Sequence, residues 1–487
     1  MNPTIQGLCE AVDGPAMMRH LEEFARRVKL SGSPEELESF EYLRSQLDGY
    51  GFRTDLILHD AYISLPGTAR LLIGSEEPDC ITHSFSRPSG PDGVRASVVY
   101  AGSGSPADFA RVDAAGRIVL LEGIANPAAS LLASQAGAVG QIHVSPLQHL
   151  YEMCISPVWG SPTPSQRDLL PKTVVLSVRK TDGDALKARV LGGEDVEATL
   201  FAEVDTGWRK TPILEADLDA ADAAEDSFVL FSGHHDTWHF GVMDNGSANA
   251  TMLEVARLFA PRRHQLRRGL KLCFWSGHSH GRYSGSSWYA DTRFRDLDRR
   301  CVAHVNIDSV GAAGNTVLSD ALSSHELFPL AAEAVRQQGG QTLDGHRMSR
   351  AGDQSFWGIG IPSVFMAMGE QPSGTGPTVM GPALGGAGAR KGAGFGWWWH
   401  TPDDRIDKID PDLLVRGARI YVHAIGRLVT DAVLPLDVGR QADAMGRALS
   451  ILAEALQGRL DLAPLIAGAA ALGKAARRLP NAEPDYA

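Results

Sequence analysis

A segment rich in histidine and acidic residues follows a short apolar run near the middle of the chain. Residues 228–231 have the pattern of a buried strand, and His234, Asp236 and Asp244 come shortly after it. In an open α/β sheet, ligands bind in the crevice beyond the carboxyl ends of the strands. Imidazole and carboxylate groups at that position are ligand types that suit zinc. The segment therefore predicts a metal site, although a polar surface loop with histidines would have the same local pattern.

Two further candidate ligands occupy comparable positions in later segments. Asp308 ends a predicted strand, and His400 follows a run of tryptophans. Because the strand ends of one sheet converge in space, we expect both residues to lie near His234 and Asp244. If one carboxylate bridges two ions, Asp244 is central. His234 and Asp308 then hold one ion, and His400 holds the other. A strand-end Asp or His alone is often only a cap or a surface group, so the prediction rests on their joint occurrence.

Asp236 lies two residues after His234. We expect its carboxylate to orient the His234 imidazole, because metal-ligating histidines usually donate their other ring N–H to a carboxylate or a carbonyl.

Alternating strand and helix patterns must position these residues. This alternation extends from about residue 210 to 435 and is typical of a mixed, mainly parallel sheet flanked by helices. We therefore predict an α/β catalytic domain that combines residues 1–61 with residues 210–435. Strands are expected at 270–275, 303–307 and 361–367, helices at 325–337 and 411–429, and a long glycine-rich loop at 369–396.

Residues 62–209 have a different texture, with short strands and dense proline and glycine. This texture predicts an inserted, β-rich domain without a catalytic cluster of its own. Near the N-terminus, Ser33 has the features of a helix N-cap, and Gly49 and Gly51 mark the end of that helix. Residues 436–487 form a predicted C-terminal helical segment.

Composition excludes several partners. The chain has 487 residues, enough for two or three domains, and its formal net charge is −12 without a long basic run, which argues against nucleic acid. No apolar segment reaches the roughly 18 residues that span a bilayer, and the first residues lack a signal-peptide pattern, so we expect no membrane association. Five scattered cysteines fit a reduced, cytoplasmic protein.

Several motifs together resemble metallopeptidase family 28. Residues 233–238 with Asp244 resemble the His-x-Asp…Asp signature of the di-zinc aminopeptidases and carboxypeptidases of that family, especially its glutamate carboxypeptidase II branch. Further matches are residues 304–308, Asp353 and residues 400–401. The resemblance implies a zinc-aminopeptidase-like fold and one or two divalent ions, with zinc expected. It also implies that residues 62–209 are a protease-associated (apical) domain and that the C-terminal helices belong to a dimerisation segment, so a homodimer is expected.

The chain departs from this family after the strand that ends at Trp275. The family carries two adjacent glutamates there, a general base and then a metal ligand, whereas residues 276–286 contain no carboxylate and are one residue longer. Counting forward from Trp275 places His278 at the base and Ser279 at the ligand. Counting back from the following Gly-Ser pair places Ser279 at the base and His280 at the ligand. Because imidazole binds zinc better than a hydroxyl does, we favour His280 as a ligand and His278 as the base.

A second departure lies beside His400. The glutamate carboxypeptidase II branch has a tyrosine there that stabilises the oxyanion, and this chain has Trp399. An indole N–H can donate a hydrogen bond but does not give up its proton. We place Trp399 and Ser279 on the substrate side of the site.

These features predict a metal-dependent hydrolase of an amide or peptide-like bond in a small or short peptide-like substrate. Two alternatives remain open. A metal-dependent lyase or cyclase could use the same scaffold with altered chemistry, and a non-catalytic binding protein would resemble the family members that have lost their metals.

Overall fold

The computed structural model describes residues 3–221, 226–344, 352–374, 379 and 391–478. Part of the predicted glycine-rich loop at 369–396 and the end of the predicted tail at 436–487 lie outside the described residues.

The described residues form these strands, in chain order: β1 (Arg53–Ile73), β2 (Cys80–Thr82), β3 (Val94–Tyr100), β4 (Ile118–Glu122), β5 (Gly140–Val144), β6 (Val174–Val178), β7 (Glu197–Leu218), β8 (Phe228–His234), β9 (Gly269–Trp275), β10 (Cys301–Asn306), β11 (Asp308–Val310), β12 (Ser363–Val364) and β13 (Ala367–Met368).

They form these helices: α1 (Pro3–Glu10), α2 (Gly14–Phe24), α3 (Pro34–Tyr50), α4 (Pro106–Phe109), α5 (Pro127–Gln135), α6 (Lys180–Leu191), α7 (Ala248–Phe259), α8 (Ser284–Thr292), α9 (Phe294–Arg300), α10 (Phe328–Gly339), α11 (Pro411–Thr430), α12 (Val438–Leu456) and α13 (Ala463–Ala476).

A single mixed sheet connects most of the described strands. Its order is β12-β10-β8-β9-β7-β3-β4-β5-β6-β2, and β1 pairs with β7 beside this path. The pairs β12/β10, β10/β8 and β8/β9 are parallel, as are β3/β4, β4/β5 and β5/β6. Helices α7 and α11 pack against β8 and bury apolar side chains in the largest core cluster. The predicted α/β class with a mainly parallel sheet is confirmed.

Helix α3 follows its sequence signals closely. The Ser33 hydroxyl accepts a hydrogen bond from the Glu36 N–H (3.1 Å), and the helix gives way at Gly51, whose φ of 91° suits glycine. Phe40 and Leu47 on its inner face are fully buried, which stabilises the fold by about 1.5–3 kcal/mol for each side chain.

The predicted borders of the inserted domain do not fall in linkers. Residues 61–62 lie inside β1 and residues 209–210 lie inside β7. These two strands pair antiparallel from Arg53 opposite Asp217 to Ile73 opposite Ala198, with one irregularity. Strands β2 to β6 continue the sheet beyond β7 and have apolar clusters of their own. The assignment of residues 62–209 as a domain stays a prediction, but its borders are paired strand rather than linker.

The C-terminal segment is helical over its described part, as predicted, and consists of α12 packed against α13. Several of its apolar side chains are exposed, including Met445, Ile451 and Leu465. Among the helices that the structure describes, none has both the length and the apolar character needed to cross a bilayer.

Candidate metal centre

The carboxyl ends of three neighbouring strands form the floor of the centre. His234 ends β8 and lies opposite Trp275, the last residue of β9. On the other side β10 runs parallel to β8, with Asn306 opposite Ser232, so Asp308 emerges beside His234. Parallel pairing brings these ends to one edge, which is why residues distant in sequence meet here.

Asp244 lies between two buried imidazoles. Its Oδ1 is 3.2 Å from Nε2 of His234, and its Oδ2 is 3.1 Å from Nε2 of His400. Oδ2 of Asp308 is 3.5 Å from the same nitrogen of His234. The four residues predicted as ligands are therefore brought together, with Asp244 in the predicted central position.

Backbone carbonyls fix the orientation of both imidazoles. Nδ1 of His234 donates to the carbonyl of Asp236 (2.9 Å), and Nδ1 of His400 donates to the carbonyl of Glu152 (2.7 Å). Each ring consequently directs Nε2 towards Asp244, the arrangement expected of metal-ligating histidines.

The charges around His234 favour a cation. Burial lowers the pKa of His234, but the carboxylates of Asp308 and Asp244 outweigh burial and raise that pKa well above its usual value. Burial raises the pKa of Asp244, yet His234 and His400 together lower it below its usual range. The carboxylates therefore stabilise positive charge at Nε2, which is also what a divalent ion supplies.

Asp404 positions Asp244 through the backbone. Asp244 belongs to an irregular turn, Val242–Ser247, and the Asp404 carboxylate accepts the N–H groups of Met243 (2.8 Å) and Asp244 (3.0 Å). Burial raises the pKa of Asp404 to about 7 despite these two donors. Asp404 was not predicted from the sequence, where its position four residues after His400 is the only local signal.

His278 pairs with a buried acid. Its ring stacks on His234 with centroids 3.6 Å apart, and its Nδ1 is 2.9 Å from Oδ2 of Asp353. The other Asp353 oxygen accepts a hydrogen bond from Ser286 (2.8 Å). Three residues each offer one potential ligand atom, and these atoms lie within 4.8 Å of one another: His234, His278 and Asp308. His278 therefore lies against His234, and its role as the base stays a prediction. Asp353 is a partner to which the sequence alone gave no role.

His280 is a buried, neutral imidazole near His400. Its Nε2 has no hydrogen-bond partner among the described residues, and the indole of Trp238 contacts both rings, with centroids 4.7 Å from His280 and 5.0 Å from His400. Burial lowers the pKa of His280 to about 3, and the neighbouring His239, His400 and His278 contribute. A neutral imidazole with an unpartnered nitrogen has the chemistry of a metal ligand.

The prediction for the Asp236 carboxylate is wrong. Its Oδ1 is 3.7 Å from Nδ1 of His234, beyond hydrogen-bond distance, because the backbone carbonyl of the same residue occupies that position. The carboxylate instead accepts the hydroxyl of Ser31 (2.5 Å), the N–H of Ser279 (2.9 Å) and the N–H of His278 (3.3 Å). Asp236 thus holds the loop that carries the two new histidines.

Ser279 and Trp399 have contacts that leave their predicted roles untested. Ser279 is buried, and within the described residues its hydroxyl has no hydrogen-bond partner. The Trp399 ring stacks on the neighbouring His400 with centroids 3.4 Å apart. Their assignment to the substrate side of the site stays a prediction.

The donor set fits a divalent metal. Nε2 of His234, Oδ1 of Asp244 and Nε2 of His280 are buried polar atoms without a hydrogen bond of good geometry among the described residues. Buried polar groups are normally satisfied, so unpartnered buried atoms of ligand type in this region indicate a bound group. Imidazole nitrogens combined with carboxylate oxygens suit zinc better than magnesium or calcium.

The fold is α/β, with a mainly parallel sheet flanked by helices as in solved zinc-aminopeptidase structures. Residues 216–425 match the family model of Peptidase family M28.

Individual relatives are distant. The Probable glutamate carboxypeptidase LAMP1 of Arabidopsis thaliana is 30% identical over 114 residues, which are 23% of this chain and 17% of that protein. The match thus spans about a sixth of that relative's length. Aminopeptidase YwaD of Bacillus subtilis (strain 168) is 25% identical over 377 residues, 74% of this chain and 73% of that protein. The solved structure of a zinc aminopeptidase from Bacillus subtilis has a TM-score of 0.64 and 19% identity, and covers 87% of this chain and 97% of that chain; it supports the fold alone.

Proposed function

We propose that the protein is a metal-dependent hydrolase that cleaves an amide or peptide-like bond in a small substrate. The observation that carries this proposal is the Asp244 carboxylate, whose two oxygens face the oriented Nε2 atoms of His234 and His400. The match of residues 216–425 to the M28 family model supports the reaction class.

The chain offers two neighbouring metal positions. His234 and Asp308 would hold one ion, His400 and His280 the other, with Asp244 shared between them. A divalent ion in such a site lowers the pKa of a water molecule and polarises the substrate carbonyl. One occupied position would also be compatible with this chemistry.

His278 is the proposed general base. Because its Nδ1 faces the Asp353 carboxylate, that nitrogen carries the ring proton and Nε2 is free to accept another. The carboxylate also stabilises the imidazolium that forms when Nε2 takes a proton. This pairing of an imidazole with a buried orienting acid is a common arrangement for a catalytic base. It would replace the glutamate that the family resemblance implies at this place.

The distant relatives suggest which substrates to try first. The Bacillus subtilis relative is an aminopeptidase, which favours aminoacyl amides with a chromogenic leaving group. The plant relatives are probable glutamate carboxypeptidases, which favours peptides with a C-terminal glutamate.

The test combines metal analysis with this substrate panel. We expect the purified protein to contain at least one equivalent of divalent metal per chain and to lose hydrolysis on chelation, with recovery on adding zinc. His234→Ala and Asp308→Ala should lose metal and activity while far-ultraviolet circular dichroism stays unchanged. The exposed Asp205→Asn on β7 is the matched control and should retain both.

Two results would contradict the proposal. Unchanged metal content in both alanine variants would show that His234 and Asp308 are not metal ligands. A fully metal-loaded protein inactive on the whole panel would favour the lyase, cyclase or binding-protein alternatives instead.

A further inference from the structure

Ser31 reaches the metal centre from a distant part of the chain. It lies in the loop between α2 and α3, outside the segment that matches the family model, and it is fully buried. Its hydroxyl oxygen is 2.5 Å from Oδ2 of Asp236 and 3.1 Å from Nδ1 of His280. Ser31 therefore connects a carboxylate to one of the two histidines that replace the expected glutamates.

The hydrogen-bond inventory of these three groups determines the tautomer of His280. A carboxylate only accepts, so the single proton of the Ser31 hydroxyl is donated to Asp236. The hydroxyl oxygen must then accept a proton from Nδ1 of His280. The backbone N–H of Ser31 is also directed at this nitrogen, at the longer distance of 3.5 Å. A proton on Nε2 would be a buried donor without a partner among the described residues, so the tautomer with the proton on Nδ1 is favoured. His280 consequently keeps its lone pair on Nε2, the buried atom without a partner among the described residues.

The position of the ring proton on His280 matters because imidazole and carboxylate differ as ligands. Either oxygen of a glutamate can bind a metal ion, whereas an imidazole binds only through its unprotonated nitrogen. A histidine at this place therefore needs a neighbour that keeps the proton on Nδ1. Partners of this kind typically change metal affinity 10–100-fold when they are removed.

The loop around Ser31 is held independently of its hydroxyl. The Lys29 N–H donates to the Thr237 hydroxyl (3.1 Å), and the Thr237 N–H donates to the Lys29 carbonyl (2.8 Å). The buried ammonium of Lys29 also donates to the carbonyls of Phe24 and Phe240, both at 3.2 Å. Removing the Ser31 hydroxyl should therefore leave the backbone in place.

We infer that Ser31 is a positioning residue for the second metal position. Its hydroxyl is hydrogen-bonded to Asp236 and orients His280, so that Nε2 of His280 faces the ion. The inference rests on the proposed metal-dependent function and adds a determinant that lies outside the family segment.

The experiment measures metal binding directly. Zinc stoichiometry and affinity are determined by competition with a chromophoric chelator, and the cobalt-substituted protein is examined by visible absorption. Ser31→Ala should weaken one of two ions by about 10–100-fold, leave the other unchanged and alter the cobalt spectrum. Ser31→Cys, which replaces the hydroxyl with a somewhat larger and weakly hydrogen-bonding thiol, should act in the same direction.

Two comparisons separate positioning from general damage. Ser33→Ala lies at the end of the same loop and removes the cap of α3, so it should lower the melting temperature while leaving both metal affinities unchanged. In the His280→Ala background, Ser31→Ala should cause no further loss of affinity, because its effect passes through that imidazole.

The contrary outcomes are distinct. Equal affinities in wild type, Ser31→Ala and Ser31→Cys would overturn the inference and leave the proposed function standing. A single bound ion that His280→Ala does not weaken would also overturn the inference alone. A wild-type protein that binds no divalent metal would overturn the proposed function and the inference together.

Discussion

At the scale of single residues, the candidate metal centre is distinguished by four imidazoles, each of which has its own partner at one ring nitrogen. Carbonyls orient His234 and His400, Asp353 orients His278, and the Ser31 hydroxyl contacts His280. A neutral imidazole ligand also brings less negative charge than a glutamate. The second metal position proposed above is rich in nitrogen and should therefore favour zinc, cobalt or nickel over manganese or magnesium.

The role of His278 can be tested by separating turnover from metal binding. We expect His278→Ala to lower kcat by about 10²–10⁴-fold, the usual contribution of a general base, while the metal content stays at the wild-type level. Asp353→Asn should lower kcat in the same direction because it removes the carboxylate that stabilises the imidazolium. Steady-state kinetics and elemental analysis of the same preparations provide the measurement.

The exposed His264→Ala serves as the control for these two variants and should leave kcat and metal content unchanged. Loss of metal from His278→Ala would show that this imidazole is a ligand rather than the base.

At the scale of elements, α10 and α11 are joined by a charged cluster away from the centre. Glu333 on α10 accepts hydrogen bonds from Arg427 of α11 (2.6 and 2.7 Å) and lies 3.1 Å from Nε2 of His423. Burial raises the pKa of Glu333, but His423 and Arg427 outweigh burial and lower it to about 2. The Glu333 carboxylate is thus more acidic in the folded protein than in the unfolded chain.

This shift predicts a specific acid sensitivity. A lowered folded-state pKa contributes stability that is complete above the unfolded pKa of roughly 4.3 and is lost as the pH falls towards about 2. Glu333→Gln should lower the free energy of unfolding at pH 7 by about 1.5–3 kcal/mol and flatten its dependence on pH below that unfolded value. Urea unfolding between pH 7 and pH 3 measures both effects.

The exposed Glu454→Gln on α12 is the matched control and should reproduce the wild-type curve. Parallel curves for wild type and Glu333→Gln across the acid range would contradict the assignment.

At the scale of the whole molecule, hydrogen bonds and continuous strands connect the predicted insert to the candidate metal centre. Besides the imidazole contact, the Glu152 N–H donates to the carbonyl of His400 (3.2 Å), so one residue of the insert holds a proposed ligand in two ways. The long β1/β7 pair continues from the catalytic sheet into the insert without a break in chain direction. Movement of the insert would therefore disturb His400.

The same continuity predicts the outcome of limited proteolysis. We expect the peptide bonds near residues 61–62 and 209–210 to resist cleavage under native conditions, because their backbone groups are paired along two long strands. Mass spectrometry of early digestion products identifies the cut sites. Early cleavage at both borders would show instead that the insert is joined to the rest by flexible segments. The homodimer remains a proposal.

The fold was predictable wherever one local pattern dominated. Helix α3 followed its cap and its glycine, and the strands before His234 and Asp308 followed their apolar runs. The strand predicted at 361–367 was too long. It is divided into β12 and β13, which pair with different neighbours, because Phe365 has a φ of 65° that interrupts the extended backbone. No local pattern reveals such a break.

The sequence by itself determined that histidine and acidic residues follow predicted strands, and this was enough to predict the set His234, Asp244, Asp308 and His400. His234 and Asp308 meet because parallel strands bring their carboxyl ends to one edge, whereas Asp244 and His400 reach that edge on turns. Only the tertiary structure decided which partner each of these groups has. Hydrogen bonds depend on distances of a few tenths of an ångström between segments far apart in the chain. For that reason the Asp236 carbonyl, rather than its carboxylate, orients His234, and Ser31, from the loop before α3, lies against His280.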